Sequence, residues 1–192
     1  MPCSIKEANL ENAKKHIDIN LSGTIYCTQL GFKYNPNLEI INVGSAAALE
    51  THATWSEYCA TKAAVLMATK CWAEDGIYAV CISPARTKTK MRKSLYPDED
   101  QSTLLDPNDF AKVVYNAVTH KYPSGTHLVI RKQNVQEILA QTEGCKSIQN
   151  SADRSQSALF QFVKEDRVPL FQDTCCIVYF ISLTYKRSIP FP

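Results

Sequence analysis

Leu38-Glu39-Ile40-Ile41-Asn42-Val43-Gly44-Ser45 is the stretch of sequence that decides the fold. It is a short apolar run, rich in β-branched residues, which is typical of a strand buried in a parallel sheet. An alanine-rich helical pattern follows it to about Glu74, and a second apolar run, Ile77–Ser83, ends at Pro84. The order of strand, helix and strand predicts an α/β layer with a parallel sheet.

The flanking segments continue this alternation. Near the N-terminus, a capping-box pattern at Ser4–Glu7 is followed by apolar residues at helical spacing. A second capping-box pattern, at Thr54–Glu57, precedes the alanine-rich helix. Ala85–Leu105 is polar and has no clear period. Further elements are predicted at three places: a helix beginning at Asp106-Pro107, a strand at His127–Ile130 and a helix at Val135–Gln141.

We therefore predict a three-layer α/β/α arrangement with a mostly parallel sheet over residues 1–144. After Gly144 the sequence becomes polar and aperiodic, and then carries scattered aromatic and β-branched residues. Residues 145–192 form an atypical tail for which disorder is one interpretation. Because only three strands are predicted, the strand at Leu38–Val43 would be an unpaired apolar edge of the sheet.

Composition excludes several classes of function. The chain has 192 residues, 45% hydrophobic and 21% charged, which suits one soluble domain, and its net charge of +2 does not favour nucleic acid. Its eight cysteines include no Cys-x-x-Cys pair, so we expect no metal site and a reducing, cytoplasmic location. The longest apolar run, Cys175–Leu183, is shorter than the roughly 20 residues that cross a bilayer, so no membrane partner is expected.

Tyr58 and Lys62 are the first candidates for chemistry. Their i, i+4 spacing puts both side chains on one face of the predicted helix. An ammonium near a phenol favours the phenolate, so such a couple can move a proton to or from a carbonyl oxygen. Ser45, at a strand end thirteen residues earlier, is positioned to hold the same oxygen. The spacing alone is weak, because most such pairs lie on protein surfaces; the surrounding strand, serine and helix strengthen it.

Four motifs occur in order around these residues: Ile19-Asn20-Leu21-Ser22-Gly23, Ile41-Asn42-Val43-Gly44-Ser45, Tyr58-x-x-x-Lys62 with Ala63-Ala64, and Pro84-Ala85-Arg86-Thr87-Lys88-Thr89. Over residues 10–131 they resemble the short-chain dehydrogenase/reductase family. The resemblance implies a doubly wound Rossmann sheet that uses NAD or NADP. Residues 1–144 would then be its C-terminal catalytic half, a partial Rossmann fold truncated at the N-terminus.

The resemblance also implies a role for each matching residue. Tyr58 would be the general acid/base, and Lys62 would favour its phenolate and bind the nicotinamide ribose. Ser45 would orient the substrate carbonyl, and Asn20 would position a water in a proton relay. The implied cofactor-binding residues are Tyr58, Lys62, Pro84, Thr87 and Thr89, the last of which would contact the nicotinamide carboxamide.

A closer resemblance concerns residues 82–92 and Thr103-Leu104-Leu105. They are similar to the ribulose-5-phosphate reductase domain of bifunctional enzymes that also form CDP-ribitol. Five cations in eight residues, Arg86, Lys88, Lys90, Arg92 and Lys93, would suit a phosphorylated substrate or the extra phosphate of NADP. Arg86, Lys88 and Arg92 are the candidate substrate ligands. A solvated basic loop is the alternative interpretation.

The sequence also departs from the family pattern. No Gly-x-x-x-Gly-x-Gly, the turn that receives the cofactor pyrophosphate, occurs among the six scattered glycines. The residue that selects NAD or NADP is missing, and Ala85 stands where the family usually has glycine. We therefore expect the isolated chain to be a fragment or an incompletely predicted gene that binds NADPH poorly.

Two functions remain open. The first is an NAD(P)-dependent oxidoreductase acting on a small carbonyl or alcohol substrate, phosphorylated or not. The second is a catalytically inactive remnant that acts as an interaction module, because the helices at residues 7–31 and 55–74 correspond to those that pair subunits in family dimers. A homo-oligomer is expected in either case.

Overall fold

The structure, a computed structural model, describes residues 3–143 and the strand at residues 178–180. Its sheet contains β1 (Ile40–Val43), β2 (Ala79–Pro84), β3 (His127–Ile130) and β4 (Val178–Phe180) in the spatial order β3-β2-β1-β4. The first three strands are parallel, with Ile41 opposite Val80 and Ile82 opposite Leu128. The parallel sheet that the sequence predicts is therefore confirmed.

Helices cover both faces of the sheet. Their bounds are α1 (Leu10–Ile17), α2 (Gly23–Tyr34), α3 (Ser56–Glu74), α4 (Lys90–Leu95), α5 (Pro107–Val118) and α6 (Val135–Glu143). Helix α3 lies on one face, where the Asn42 amide donates a 2.7 Å hydrogen bond to Thr69 Oγ1. The other face packs on α5 and α6 through an apolar core that includes Val80, Ile82 and Val113. This is the predicted α/β/α layering.

The N-terminal helix differs from its prediction. The Ser4–Glu7 pattern forms a turn, and α1 begins at Leu10 because the Asn9 side chain accepts hydrogen bonds from the amides of Glu11 and Asn12. A five-residue π-helical segment, Asp18–Ser22, then separates α1 from α2. The first capping-box prediction was therefore wrong, and the helical pattern is interrupted at Asn20.

Other boundaries divide into confirmed and corrected predictions. Asp106 caps α5 by accepting a 2.7 Å hydrogen bond from Asn108 N, as predicted. The pattern at Thr54–Glu57 is not a capping box, because Thr54 has a φ of 69° and α3 begins at Ser56 without a side-chain cap. The aperiodic stretch at residues 85–105 contains α4 and a 3₁₀ turn at Gln101–Thr103.

The free edge predicted for β1 is also corrected. Val178–Phe180 pairs antiparallel with it, with Tyr179 opposite Ile41. Apart from this strand, the prediction for residues 145–192 lies outside the described residues. Among the helices of residues 3–143, none combines the length and the apolar character needed to cross a membrane.

Candidate active site

Lys62 is a fully buried cation on the sheet-facing side of α3. Its Nζ donates a 3.1 Å hydrogen bond to the main-chain oxygen of Val43, the last residue of β1. Burying an ammonium carries a large desolvation cost unless its hydrogen bonds are made, so a lysine in the interior indicates a specific role. Lys62 therefore lies directly behind the turn that carries Ser45.

Tyr58 lies one helical turn before Lys62 and is partly exposed. The Lys62 Nζ atom is 5.9 Å from the centre of the Tyr58 ring. The Trp55 ring meets Tyr58 edge-on at 5.3 Å between centroids, and His52 packs on Trp55 at 5.8 Å. The predicted pairing of Tyr58 and Lys62 is thus present in space, and aromatic packing restricts the tyrosine ring.

Ser45 follows β1 at the predicted strand end. Its Oγ accepts a 3.2 Å hydrogen bond from Ala47 N, which fixes the hydroxyl at the start of a short 3₁₀ turn. Gly44 allows this turn to lie against β2, because a Cβ atom there would be 2.3 Å from Ser83 Oγ and 2.8 Å from Cys81 Sγ. Ser83 Oγ in turn contacts His127 Nε2 at 2.9 Å.

Asn20 is buried within the π-helical segment, which packs against α3. Its main-chain oxygen accepts a 3.0 Å hydrogen bond from Thr24 Oγ1. Short π-helical segments inside α-helices occur frequently at functional sites. The interruption of the helix at this position therefore supports a role for Asn20. The residue does not line the cavity at the carboxyl ends of the parallel strands.

A cavity of about 1020 Å³ lies at the carboxyl ends of β1, β2 and β3. It brings together seven of the predicted site residues: Ser45, Tyr58, Pro84, Arg86, Thr87, Thr89 and Arg92. Lys88 is exposed and does not line it. Parallel α/β sheets bind ligands at this edge, so the cavity is the candidate active site.

The basic loop is less positive than its sequence suggests. Glu99 accepts two hydrogen bonds from Arg92, at 2.6 and 2.7 Å, and one from Arg86 at 3.2 Å. The Arg92 guanidinium also lies 4.0 Å from the centre of the Tyr96 ring. Hydrogen bonding to Arg92 lowers the pKa of Glu99 and raises that of Arg92. Glu99 therefore compensates charge on both arginines.

The two threonines of this loop organise its backbone. Thr87 Oγ1 donates a 2.9 Å hydrogen bond to Ala85 O. Thr89 Oγ1 accepts a 3.1 Å hydrogen bond from Arg92 N and so caps α4. Since both residues also line the cavity, the loop presents them from a defined backbone.

The family model described as short chain dehydrogenase matches residues 1–100, just over half of the chain. This chain belongs to the short-chain dehydrogenase family. An uncharacterized oxidoreductase of Staphylococcus aureus (strain N315) is 30% identical over 123 residues, covering 60% of this chain and 52% of the relative. The chain thus spans about half the length of the curated relatives it matches.

Two solved structures with the same fold contain a bound nucleotide. One is 4-hydroxyisoleucine dehydrogenase complexed with NADH, at 21% identity and a TM-score of 0.58, covering 68% of this chain and 62% of that one. The other is ElxO with NADP bound, at 23% identity and a TM-score of 0.60, covering 68% and 61%. These likenesses establish the fold of the described part.

The sequence analysis missed Glu50 and Arg131, which line the cavity, and Glu99, which contacts the lining residues Arg86 and Arg92. Arg131 immediately follows β3 and lines the cavity, where its Nη2 atom donates to Glu50 Oε1. The strand-end rule that selected Ser45 would also have selected Arg131. The acidic partners could not be found in this way, because Glu50 is 81 residues from Arg131 in sequence.

Proposed function

We propose that this chain supplies the catalytic half of an NAD(P)-dependent oxidoreductase that interconverts a carbonyl compound and its alcohol. One observation carries the proposal: the buried Lys62 ammonium lies 5.9 Å from the Tyr58 ring, next to the Ser45 turn. Tyr58 and Ser45 both line the same cavity. This is the residue set that proton transfer at a carbonyl oxygen requires.

The residues at the cavity fit the nicotinamide end of such a cofactor. Gly44 has no room for a side chain, and Pro84, Thr87 and Thr89 line the space in front of it. When bound, the cofactor supplies or accepts hydride at the substrate carbon. Tyr58 would hold its ribose and Thr89 its carboxamide, whereas Lys62, which is fully buried and outside the cavity lining, would act on the ribose site through Tyr58. The pyrophosphate-binding glycine turn is absent from this sequence, so NADPH binding by the chain alone should be weak.

Each polar residue then has a defined task. Ser45 would hold the substrate oxygen by donating a hydrogen bond from Oγ, and Tyr58 would donate a proton to that oxygen during reduction or remove one during oxidation. Lys62 would stabilise the tyrosinate through its buried charge. Asn20 would order a water on the proton path behind Lys62, a role that its burial in the π-helical segment supports.

A phosphorylated sugar remains the finer substrate proposal. Arg86 and Arg92 line the cavity, and guanidinium groups bind phosphate through paired hydrogen bonds. Because Glu99 already occupies both side chains, they would bind phosphate only by sharing or exchanging that partner. Lys88 lies outside the cavity lining and would act only through its charge.

The test measures oxidation of NADPH and NADH by the full 192-residue chain with ketoses and ketose phosphates. We expect slow turnover that does not saturate with cofactor and that Tyr58→Phe abolishes. Tyr26→Phe, an exposed tyrosine on α2, is the matched control and should leave the rate unchanged. Equal rates for the wild type and Tyr58→Phe would contradict the role of Tyr58. No turnover with any substrate would favour the second candidate function.

That second candidate is an interaction module. Large apolar side chains are exposed on helices α1 to α3, namely Leu10, Ile17, Tyr26, Leu30, Tyr34 and Met67. Exposed apolar surface of this kind favours association with another protein, including a second copy of the chain. Sedimentation of the wild type and of Leu30→Glu tests it: a dimer that Leu30→Glu dissociates supports the module, and a monomer in both excludes self-association.

A further inference from the structure

An ion pair between Glu50 and Arg131 joins the loop after β1 to the loop after β3 at the cavity. Arg131 Nη2 donates to Glu50 Oε1, and both residues line the cavity that contains Ser45 and Tyr58. Lys132 lines it as well and is exposed. None of the ion pairs within the described residues involves Lys132. Arg131 and Lys132 therefore present a second set of cations to the cavity, beside the loop of Arg86 and Arg92.

Arg131 is held by a fixed backbone. Its amide donates a 2.7 Å hydrogen bond to Asn134 Oδ1, and Asn134 Nδ2 donates a 2.9 Å bond to Val129 O. The preceding residue, Ile130, accepts a 2.8 Å hydrogen bond from Ala85 N. Because the turn is tied to both β3 and the end of β2, the guanidinium projects from a preorganised position, as a ligand-binding group should.

Three arginine–glutamate pairs lie at the cavity, and they differ in how easily an anion could replace the carboxylate. Arg92 and Glu99 are 19% and 14% exposed and share two hydrogen bonds. Arg86 is 55% exposed and shares the same Glu99 through one hydrogen bond, so Glu99 keeps its negative charge beside Arg92 even where Arg86 lets go. Arg131 and Glu50 are 41% and 39% exposed and are joined by one hydrogen bond, and exposed pairs of this kind contribute little net stability. The Arg131 pair is therefore the one from which an incoming anion can displace the whole carboxylate at low cost.

We propose that Arg131, assisted by Lys132, binds the anionic group of the substrate, a carboxylate or a phosphate, and that this group displaces Glu50. The proposal rests on the proposed function for the reaction itself. It assigns the substrate anion to the loop after β3, whereas the sequence pointed to Arg86, Lys88 and Arg92. The displaced Glu50 carboxylate moves toward His52, whose Nε2 atom is 3.8 Å away.

The position of Arg131 in the sheet favours the substrate over the cofactor. The residues proposed to hold the nicotinamide end are Tyr58, on the helix that packs on β1 and β2, and Thr89, in the loop after β2. Arg131 follows β3, the strand at the far edge of the described sheet, and neighbouring strands are about 4.8 Å apart. The cofactor would therefore lie on the β1 and β2 side of the cavity and leave the β3 side to the substrate.

Titrations with inorganic phosphate and with acetate, at constant ionic strength, test the proposal on the full chain. The arginine Nε–Hε resonances report binding in NMR spectra. We expect a saturable shift of Arg131, an affinity about tenfold lower in Arg131→Gln, and a several-fold gain in Glu50→Gln because the competing carboxylate is gone. Lys33→Gln on exposed α2 is the charge-matched control and should not change the affinity. Phosphate tighter than acetate would identify a phosphorylated substrate, and the reverse a carboxylate.

Other outcomes would overturn the proposal. Equal affinities in the wild type and Arg131→Gln would do so, as would a loss of affinity in Glu50→Gln. If Arg131→Gln does not fold, Lys132→Gln leaves the ion pair intact and should still weaken phosphate binding several-fold. An Arg131→Gln effect on NADH titration alone would assign the residue to the cofactor. The phosphate titration requires neither cofactor nor turnover, so a failure of the reductase assay leaves this test intact.

Discussion

Gly44 is the residue at which the Ser45 turn comes closest to the neighbouring strand. An alanine Cβ would lie 2.3 Å from Ser83 Oγ and 2.8 Å from Cys81 Sγ, and both of those side chains are buried. Overpacking of this kind costs about 1–3 kcal/mol. We expect Gly44→Ala to lower the free energy of unfolding by that amount in urea denaturation. The turn carrying Ser45 would also be displaced from the cavity.

Two further variants define this prediction. Gly44→Ala combined with Ser83→Ala should recover part of the loss, since the shorter contact disappears. Gly23→Ala is the control, because its Cβ would meet only Asp18 O at 3.4 Å and helices favour alanine over glycine. If Gly44→Ala is as stable as the wild type, Gly44 does not lie as close to Ser83 and Cys81 as the structure shows.

The hydroxyl group of Tyr78 should make the stability of the fold depend on pH in alkaline solution. Its single hydroxyl proton is shared between Ala117 O at 2.8 Å and Tyr122 O at 3.0 Å, and burial raises the pKa of Tyr78 to about 12. An ordinary tyrosine in the unfolded chain ionises near pH 10. Between pH 10 and 12 the unfolded state therefore loses a proton that the folded state keeps, and stability should fall as pH rises. Urea denaturation across this range measures the slope.

Tyr78→Phe should make this decline shallower and cost about 1 kcal/mol at neutral pH, because the hydroxyl hydrogen bonds are lost. Some slope should remain, since burial also raises the pKa values of Cys81 and Tyr122. Tyr26→Phe changes an exposed ring and should leave the profile unaltered. An unchanged slope in Tyr78→Phe would exclude Tyr78 as its source.

Residue pairs were predictable only where local geometry determines them. Tyr58 and Lys62 share a face because a helix repeats every 3.6 residues, and Ser45 follows from the end of a strand. Glu99 was missed because its contact with Arg92 depends on how the chain turns after α4, in a stretch whose sequence has no period. The implied roles of Asn20, Ser45, Tyr58 and Lys62 remain predictions that kinetics must test.

At the scale of elements, helix starts distinguish a sequence pattern from the contacts that it makes. Ser4–Glu7 has the sequence of a capping box, yet Glu7 N donates to the main-chain oxygen of Ser4 and the Ser4 Oγ accepts a 3.4 Å hydrogen bond from Lys6 N, within a turn. Asn9 caps α1 through a 2.8 Å bond from Glu11 N. Asp106 was recognisable because the following proline cannot donate and so marks the first helical position. The pattern at Ser4–Glu7 consists only of residues that can form capping hydrogen bonds, and none of them fixes the first helical position as a proline does.

Asn9→Ala should therefore destabilise α1, whereas Ser4→Ala should have little effect. Losing an N-cap costs about 0.5–2 kcal/mol, and surface changes elsewhere stay within about 0.5 kcal/mol. Amide hydrogen exchange at Glu11, Asn12 and Ala13 measures the opening of this end directly. Faster exchange in Ser4→Ala than in Asn9→Ala would restore the original capping-box prediction.

At the scale of the whole molecule, the two faces of the sheet serve different purposes. The α5 and α6 side holds the apolar core and one buried polar pair, Asn116 and Thr142, which lies between the two helices. The α3 side carries the buried polar groups of Asn42, Thr69 and Lys62. Parallel strands buried on both faces usually read as continuous apolar runs. A polar residue inside such a run, as at Asn42, therefore marks the face of the sheet that α3 covers.

The edge of β1 offers the last test, because the sequence left it unpaired and the structure pairs it with β4. Amides alternate in direction along a strand, and those of Ile40 and Gly44 donate to β2, so the amide of Ile41 points toward Tyr179. Tyr179→Pro removes a donor from this pair, and Tyr179→Phe keeps it. We expect Tyr179→Pro to lose hydrogen-exchange protection at Ile41 and to aggregate at concentrations at which Tyr179→Phe stays dispersed, as light scattering would record. Equal protection in the two variants would mean that β4 does not cover this edge in solution, and the apolar edge predicted from the sequence would then stand.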